Sequence, residues 1–233
     1  IELGGNARYF LQDNALFRNM FSFMRFGYTE RIDTGEMQSQ DWFWRMLNLS
    51  THRGGQIGGG VFHNKEGLKN DFAIRPGIVI PAGDYSFDGI QGEIRMSDQR
   101  TFAPRVSFSN GGFYNGDRTQ YNLGVSWRPD EHLFMGFEYN YQDISLPAGD
   151  FTVRVVRMNA NYAFNSKWSW INLLQYDNGS NVVGINSRLR WNPEAGEDMY
   201  LVINYNFDSE SAFAGLNSQN AEIVLKYTKT LRF

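Results

Sequence analysis

The chain has 233 residues, with 22 Lys and Arg against 25 Asp and Glu, and it contains no cysteine. The lack of cysteine excludes disulfides and thiol chemistry, and a net charge of −3 gives no reason to expect a nucleic-acid partner. No stretch of about eighteen apolar residues occurs, so a transmembrane helix is excluded. A mean hydropathy of −0.46 is typical of a soluble protein, yet it also suits membrane strands in which every second residue faces lipid.

The first eighty residues predict strands with imperfect alternation. They are Leu3–Leu11, Ala15–Tyr28, Asp41–Ser50 and Gln56–Asn64. The triple glycine Gly58–Gly60 weakens a strand and indicates a sharp bend or room for an inward-folding loop. The segment Phe72–Tyr85, with its Pro-Gly and Pro-Ala-Gly corners, has two interpretations: a structured outer loop, or a loop that folds inward as a constriction.

From Asp84 onward the sequence predicts strands of roughly ten to fifteen residues separated by turn residues. These strands are Tyr85–Met96, Pro104–Tyr114, Arg118–Arg128, Leu133–Asp143, Phe151–Phe164, Lys167–Asp177, Val182–Trp191 and Met199–Phe207. An Asn-Gly pair is a strong hairpin signal because both residues tolerate a positive φ, and it places a turn at Asn115–Asp117. In Arg118–Arg128 the apolar side chains occupy one register and most polar ones the other, which predicts a two-faced strand.

The chain ends on a further alternating segment, Ala221–Phe233, in which Lys229 interrupts the apolar register. A last strand that stops on an aromatic residue resembles the closing strand of bacterial outer-membrane β-barrels, whose terminal aromatic is read by the assembly machinery. Phe233 is therefore the expected assembly signal, and the barrel-assembly machinery is an expected partner.

Together these patterns predict an all-β fold: an antiparallel transmembrane outer-membrane β-barrel of about 12–14 strands. Residues 1–233 are expected to form a single barrel domain in the bacterial outer membrane, in contact with its lipid. If the C-terminus is periplasmic, short connections such as Thr51–Gly55 are periplasmic as well. The three longest connections, Thr29–Gln40, Lys65–Gly83 and Asp208–Ser218, then all lie outside, as such barrels require.

The tryptophans mark the expected membrane interfaces. Trp127, Trp168, Trp170 and Trp191 lie next to predicted periplasmic turns, and Trp42 and Trp44 lie near a predicted outer loop. Because Trp is enriched at both membrane–water interfaces, these positions predict an aromatic girdle.

Three parts of the sequence resemble one group of bacterial outer-membrane proteins. They are Phe72–Gly77 with Ile80–Tyr85, Trp168–Asp177, and Gly184–Trp191. Members of that group carry an N-terminal domain similar to family-9 carbohydrate-binding modules, followed by a C-terminal barrel of unassigned function. The resemblance covers roughly residues 70–207, without the carbohydrate-binding-like domain. The chain is therefore expected to be either a natural short version or the C-terminal part of a longer protein.

Charged side chains in the inward register are the candidate functional residues. The predicted lumen-lining residues are Glu93, Arg95, Arg105, Arg118, Glu138, Arg157, Arg188, Arg190, Glu222 and Lys226. Rings of charge tune the ion preference of pores. In the other interpretation, these groups pair with one another across a filled lumen and stabilise a plugged barrel.

No catalytic or metal-binding pattern is evident in the sequence. The three histidines, His52, His63 and His132, match no HExxH motif or paired metal-ligand spacing. Only His63 lies near a predicted outer loop, where an outer-membrane hydrolase would need it. We therefore expect no enzyme activity, no bound metal and no cofactor.

Two functions remain open from the sequence. The first is a passive channel for small polar solutes or sugars, where sugars are implied by the appended domain of the resembling group. The second is a plugged structural barrel that anchors a partner, such as another outer-membrane or periplasmic subunit. The balance of Arg and Glu in the lumen does not distinguish them.

Overall fold

The computed structural model describes residues 1–208 and 218–230. The strands are β1 (Glu2–Phe10), β2 (Phe17–Glu30), β3 (Met37–Thr51), β4 (Gln56–Leu68), β5 (Phe72–Arg75), β6 (Ile78–Ile80), β7 (Gly83–Arg95), β8 (Phe102–Phe113), β9 (Gly116–Trp127), β10 (Leu133–Leu146), β11 (Gly149–Ala163), β12 (Trp168–Asp177), β13 (Val182–Trp191), β14 (Glu197–Asp208) and β15 (Ser218–Lys229). Within the described residues, no helix has the length and apolar character needed to cross a membrane. The predicted assembly signal, Phe233, lies outside the described residues.

Thirteen of these strands form one sheet in which each strand lies beside the next in the chain, except that β7 follows β4. The remaining two, β5 and β6, pair with each other as a separate hairpin. The ladders from β1 to β4 and from β11 to β15 are antiparallel, as are those that join β7 to β4 and to β8. The predicted all-β antiparallel architecture is confirmed, and the strand number falls in the predicted range.

One connection predicted to be long is short. Only residues 31–36 join β2 to β3, where the sequence predicts the connection Thr29–Gln40. The N–H of Arg31 donates to the C=O of Glu36 at 2.9 Å and closes this turn. Backbone pairing continues here through polar residues, because ladder hydrogen bonds do not require the apolar alternation from which the strand ends were predicted.

The hairpin between β8 and β9 turns earlier than its Asn-Gly pair predicts. Tyr114 and Asn115 form the turn, and Gly116 already belongs to β9. The positive φ of 53° falls on Tyr114, a conformation that costs an L-residue roughly 1–2 kcal/mol. The ring of Tyr114 lies 5.3 Å from that of Tyr85 and 4.8 Å from that of Phe113, so aromatic packing offsets this cost.

The described residues group into two compact units. Unit 1 comprises Ile1–Ser97, Arg105–Asn122 and Tyr141–Thr152. Unit 2 comprises Asp98–Pro104, Leu123–Asn140 and the described residues from Val153 onward.

Unit 1 has an apolar sheet face that is open to its surroundings. Met24 lies opposite Trp44, Trp44 opposite Val61, and Val61 opposite Ile90, in successive antiparallel ladders. Ile90 remains 54% exposed, which is high for a large aliphatic residue in the middle of a strand. The alternate residues of the same strands form the polar face of unit 1.

The apolar core of unit 1 lies on this polar face. Ile80 of the β5–β6 hairpin is 1% exposed and packs with Ile144 and Leu146 of β10. Tyr85 packs against this cluster and shares its register on β7 with Glu93, which belongs to the polar face. The hairpin therefore covers part of the polar face.

Unit 2 also has one polar and one apolar face. On its apolar face Trp170 lies opposite Leu189, and Leu201 lies opposite Leu225. On the polar face Asn186 donates to Asn204, and Asn204 in turn donates to Glu222 at 3.3 Å.

Lys229, which interrupts the apolar register of the last strand, lies opposite Glu197 and forms an ion pair with it. The hydroxyl of Tyr227 donates to the same carboxylate at 3.2 Å. The interruption is therefore a charge pair at the end of the β14–β15 ladder, where β14 begins.

Three connections use the same side-chain device just before a strand. The Oδ1 atoms of Asn14, Asp130 and Asn165 each accept two backbone N–H bonds, of 2.8–3.0 Å, from the residues two and three positions later. The third residue along begins β2, β10 or β12 in each case. Asx side chains bond to nearby backbone in this way at turns, and here they fix where the next strand starts.

Candidate functional site

A cavity of about 510 Å³ opens on the polar face of unit 1. Alternate residues of β2, β3, β4, β7, β8 and β9 contribute to its wall, because successive side chains of a strand point to opposite faces. The charged residues of the wall are Arg25, Asp41, Arg45, Glu93 and Arg118. Three guanidinium groups and two carboxylates leave the cavity with a net charge of +1.

Arg45 and Glu93 form an ion pair between strands that are not neighbours. Arg45 lies on β3 and Glu93 on β7, and β4 runs between them. Gly58 and Gly60 of β4 have no side chain on this face, so the Arg45 side chain has room to cross the strand. The contact joins Nη1 of Arg45 to Oε1 of Glu93. The Nε of Arg45 is buried and has no hydrogen-bond partner within the described protein.

A backbone irregularity in β3 positions Arg45. The β3–β4 register shifts between Trp44 and Leu47, and a Cβ added at Gly60 would lie only 2.3 Å from the carbonyl oxygen of Trp44. No side chain fits at that distance, so glycine is required opposite the bulge. Strand β4 runs continuously through Gly58–Gly60, where the sequence predicts a bend or room for a loop, and the register irregularity lies in the facing strand β3.

The second ion pair of the cavity joins Arg25 and Asp41. Nη2 of Arg25 lies 3.3 Å from Oδ2 of Asp41, and both side chains are about half exposed. A Cβ at Gly27 would lie 2.2 Å from Oδ1 of Asp41, so the carboxylate lies directly over a glycine. Because the pair is solvent-accessible, we expect it to contribute little to stability and mainly to fix the local charge pattern.

Phenylalanine rings form the apolar part of the wall. The rings of Phe23 and Phe43 meet edge to face at 5.4 Å. The Phe62 ring lies over Gly89, where an added Cβ would come within 2.2 Å of its Cζ. The cavity therefore offers ring faces next to charged and amide groups, the combination that recognises solutes with apolar faces and polar edges.

Arg118 is the cation of the cavity that lacks a counter-ion. Within residues 1–208 and 218–230 its guanidinium forms neither an ion pair nor a side-chain hydrogen bond. Its Cζ lies 4.7 Å from the centre of the Phe113 ring, a cation–π contact that holds the side chain in place. Two residues further along β9, Gln120 donates to Asn122 at 3.3 Å, and Asn122 donates to Ser107 at 3.0 Å.

Tyr114 belongs to the hairpin-covered core and lies four residues before Arg118 in the chain. It packs against the Ile80 cluster and hydrogen-bonds to the carboxylate of Glu66. Burial, and then the negative charge and hydrogen bond of Glu66, raise the pKa of Tyr114 to about 12. The phenol is therefore neutral over the physiological range.

The structure places the predicted lumen residues of unit 1 on its polar face, and two of them, Glu93 and Arg118, in the cavity. Arg118 lines the cavity. Arg95 donates to Oε1 of Gln56 at 2.8 and 3.1 Å, and Arg105 lies opposite Arg95 in the β7–β8 ladder.

Five of the six predicted lumen residues of unit 2 are engaged in contacts on its polar face. Arg157 pairs with Glu138 at 3.4 Å, and Arg190 pairs with Asp198 at 2.7 Å. The Cζ of Arg188 lies 5.8 Å from the Tyr200 ring. Glu222 accepts from Asn204, and the sixth residue, Lys226, lies opposite Tyr200 in the β14–β15 ladder.

Sequence reasoning missed three charged residues of the cavity: Arg25, Asp41 and Arg45. The bulge in β3 changes which residues face the cavity, with odd-numbered residues facing it before the bulge and Asn48 opposite Gly58 after it. Arg25 and Asp41 come before this change, and the alternation Asp41, Phe43, Arg45 was the available signal.

The predicted girdle tryptophans make specific contacts. Trp168 and Trp191 stack at 5.8 Å. Two indole N–H groups donate to serine hydroxyls on an adjacent strand, Trp44 to Ser22 at 3.1 Å and Trp170 to Ser187 at 2.9 Å. Since β3 already begins at Met37, Trp42 and Trp44 lie well inside the strand and not beside a loop. Trp127 lines an apolar groove of unit 2.

The histidines occupy separate places. His52 and His132 hydrogen-bond to the backbone carbonyls of Asn14 and Ala163, at 2.9 and 2.7 Å. His63 contacts Asp88 at 2.6 Å, in the register of β4 and β7 that carries the apolar face of unit 1. In the part of the chain that the structure describes, no three His, Asp or Glu side chains come together as a metal site.

No protein-family model and no curated protein matches the chain. Among solved structures, the KdgM porin aligns over 100% of both chains with 8% identity and a TM-score of 0.34. The KdgM porin in complex with disordered oligogalacturonate aligns over 100% of both chains, with 8% identity and a TM-score of 0.33. The Ralstonia pickettii toluene transporter TbuX aligns over 99% of this chain and 88% of its own, with 10% identity and a TM-score of 0.34. These structures are too distant to indicate a function for this chain, so its function is inferred from its own residues.

Proposed function

We propose that the chain forms the wall of a bacterial outer-membrane β-barrel channel that passes small polar solutes, including sugars. The observation that carries the proposal is the sheet with two faces of opposite polarity. Large apolar side chains are exposed on one face of each unit, including Ile90 at 54%, Ile94 at 57% and Ile223 at 73%. Soluble proteins rarely expose contiguous apolar patches of this kind, whereas a barrel wall turns them toward lipid.

The distribution of buried residues supports the same proposal. The buried apolar residues among those described are Ile80, Phe87, Ala103, Ile144 and Leu146. Such a small core does not stabilise a soluble domain of this length, whose folding depends on apolar burial. In a membrane, backbone pairing and lipid contact take over that role.

The polar faces provide the path for solute. In unit 1 the path contains charged, amide and aromatic side chains around an open cavity. No catalytic constellation accompanies them among the described residues, so passage and not chemistry is the function proposed. The resemblance to proteins with a carbohydrate-binding-like domain makes sugars the first solutes to test.

The test is the conductance of planar lipid bilayers after addition of the refolded chain. We expect uniform, ohmic steps, because a water-filled lumen conducts ions at a rate fixed by its dimensions. A silent membrane in which the protein is shown to be inserted would contradict the channel. That result would favour the plugged barrel that anchors a partner.

A further inference from the structure

We propose that the polar cavity of unit 1 binds a polyhydroxylated monocarboxylate, such as a sugar acid, and that Arg118 binds its carboxylate. The proposal deepens the proposed function, on which it rests for the route by which the solute reaches the cavity. The binding itself depends only on the cavity residues.

Arg118 carries a charge that no carboxylate of the cavity balances. Arg25 and Arg45 each have a carboxylate partner in the cavity, Asp41 and Glu93 respectively. Arg118 has none among the described residues. A guanidinium presents its N–H donors in a planar fork that matches a carboxylate, so an unpaired one in a cavity is a ready position for an anion.

The Arg118 side chain is held in a fixed position. The Phe113 ring supports its guanidinium at 4.7 Å, and the cluster of Tyr114, Tyr85 and Ile80 holds Phe113 in turn. A side chain held before the ligand arrives loses less conformational freedom on binding. Arg118 is therefore better prepared to bind than an exposed arginine of the surface.

The net charge of the cavity wall favours a ligand with a single negative charge. The cavity wall carries a net charge of +1, so a monoanion neutralises it. A dianion would leave an excess negative charge close to Asp41 and Glu93, and like charges repel at short range. A carboxylate is thus favoured over a doubly charged phosphate.

The amide and aromatic residues of the cavity wall suit the uncharged part of the ligand. Gln91 and Gln120 line the cavity with side-chain amides. These groups donate to hydroxyl oxygens, whereas the rings of Phe23 and Phe62 contact the C–H faces of the solute. Hydroxyl groups on an apolar carbon frame, next to one carboxylate, describe a sugar acid. The volume of about 510 Å³ is within the range of small-molecule sites.

The experiment compares three sugars that differ in charge at one end: D-glucuronate, D-glucose and D-glucose 6-phosphate. Their binding to the refolded full chain is measured by titration calorimetry, in the original protein and in Arg118→Gln, Arg118→Lys and Arg128→Gln. Arg128 is the matched control, since its guanidinium also stacks on a ring, Phe134 at 4.5 Å, but belongs to unit 2 and does not line the cavity. Far-ultraviolet circular dichroism confirms that each variant keeps its β-structure.

We expect glucuronate to bind more tightly than glucose or the phosphate. In Arg118→Gln the glucuronate affinity should fall roughly tenfold to a hundredfold, the range for a lost charge-assisted hydrogen bond. Arg118→Lys should lose less, because it keeps the charge without the fork, and Arg128→Gln should stay near the original affinity.

Equal binding of glucuronate and glucose, tighter binding of the phosphate, or a folded Arg118→Gln with unchanged affinity would each overturn the proposal. Its failure is distinguishable from failure of the channel. A conducting chain with no preference for glucuronate retains the channel and loses the site, whereas a silent chain that binds glucuronate through Arg118 retains the site and loses the channel.

Discussion

At the residue scale, Tyr114 is the side chain whose ionisation the fold changes most clearly. It occupies a two-residue turn, carries a positive φ of 53°, and hydrogen-bonds to Glu66. Burial in the aromatic cluster, followed by the charge of Glu66, raises the pKa of this phenol from 10.0 to about 12. Ionising it would place two negative charges side by side in a partly apolar setting.

The stabilisation from Tyr114 is therefore expected to depend on pH. The folded state holds the phenolic proton more tightly than the unfolded chain, so the stabilisation is complete below about pH 10 and is lost as pH rises toward about 12. Near neutral pH we expect the free energy of unfolding of Tyr114→Phe to be about 1 kcal/mol lower than that of the original protein, which is the contribution of one hydrogen bond. The difference should vanish or change sign above the raised pKa.

The measurement is urea unfolding of both proteins at a series of pH values up to about 12. The other tyrosines titrate in both proteins, so their contribution cancels when the two free energies of unfolding are subtracted. Comparing the two proteins at each pH therefore controls for other effects of alkaline solution. A difference that stays constant across this range would show that the Tyr114–Glu66 contact does not perturb the phenol.

Individual residues differ in how far the sequence predicts their place. The clean alternation of Arg118–Arg128 puts Arg118, Gln120 and Asn122 on one face, and all three line the cavity. Arg45 was missed, because its position depends on the bulge between Trp44 and Leu47. A local pattern of period two contains no signal for a bulge that is stabilised by glycines on the facing strand.

At the scale of elements, the β5–β6 hairpin is held by a small and well-defined contact. Ile80 is 1% exposed and packs against Ile144 and Leu146, whereas the preceding residue, Val79, is 40% exposed. The two side chains point to opposite sides of the same short strand. The hairpin is therefore attached to the polar face chiefly through one of its sides.

We expect Ile80→Ala to release this hairpin. Truncating a buried isoleucine costs about 2–5 kcal/mol through lost transfer energy and the cavity left behind. In bilayer recordings the variant should show larger or noisier conductance steps, because the hairpin covers part of the solute path. Val79→Ala is the matched control and should change both the free energy of unfolding and the conductance little.

Unchanged conductance in Ile80→Ala, with a measured loss of stability, would show that the hairpin is a structural cover and not a constriction. There is a physical reason why the sequence left open whether Phe72–Tyr85 is a structured outer loop or an inward-folding constriction. The Pro76-Gly77 turn, with Gly77 at a φ of +83°, is predictable from local composition. The docking of Ile80 depends on Ile144 and Leu146, which are distant in the chain, so no local pattern could predict it.

At the scale of the whole molecule, alternation predicts more than local boundaries do. The two faces of opposite polarity follow from a period of two, because that period decides which side chains share a face. Strand number follows from the count of segments between turn residues, and antiparallel pairing follows from their short connections. Strand ends do not follow from the alternation, as the short 31–36 connection shows. The ladder continues for as long as backbone groups find partners, whatever the side chains are.

The proposed channel also predicts which parts of unit 1 lie on which side of the membrane. In the β4–β7 ladder Gln56 lies opposite Arg95, and Arg95 in turn lies opposite Arg105 on β8. The turn that contains Arg53 and the turn that contains Asn115 are thus at opposite ends of these strands. With a periplasmic C-terminus, Arg53 is expected in the periplasm and Asn115 outside.

The absence of cysteine makes this orientation directly measurable, since one introduced thiol is the only reactive one. In intact cells, a maleimide on a polymer too large for porins should label Asn115→Cys and leave Arg53→Cys unlabelled. Permeabilising the outer membrane should then expose Arg53→Cys, and the cysteine-free parent reports background. The reverse pattern would invert the orientation while leaving the barrel intact. Labelling of both sites in intact cells would contradict the membrane-spanning arrangement. The turns that contain Arg53 and Asn115 lie at opposite ends of strands that cross the membrane, so they cannot both be outside it.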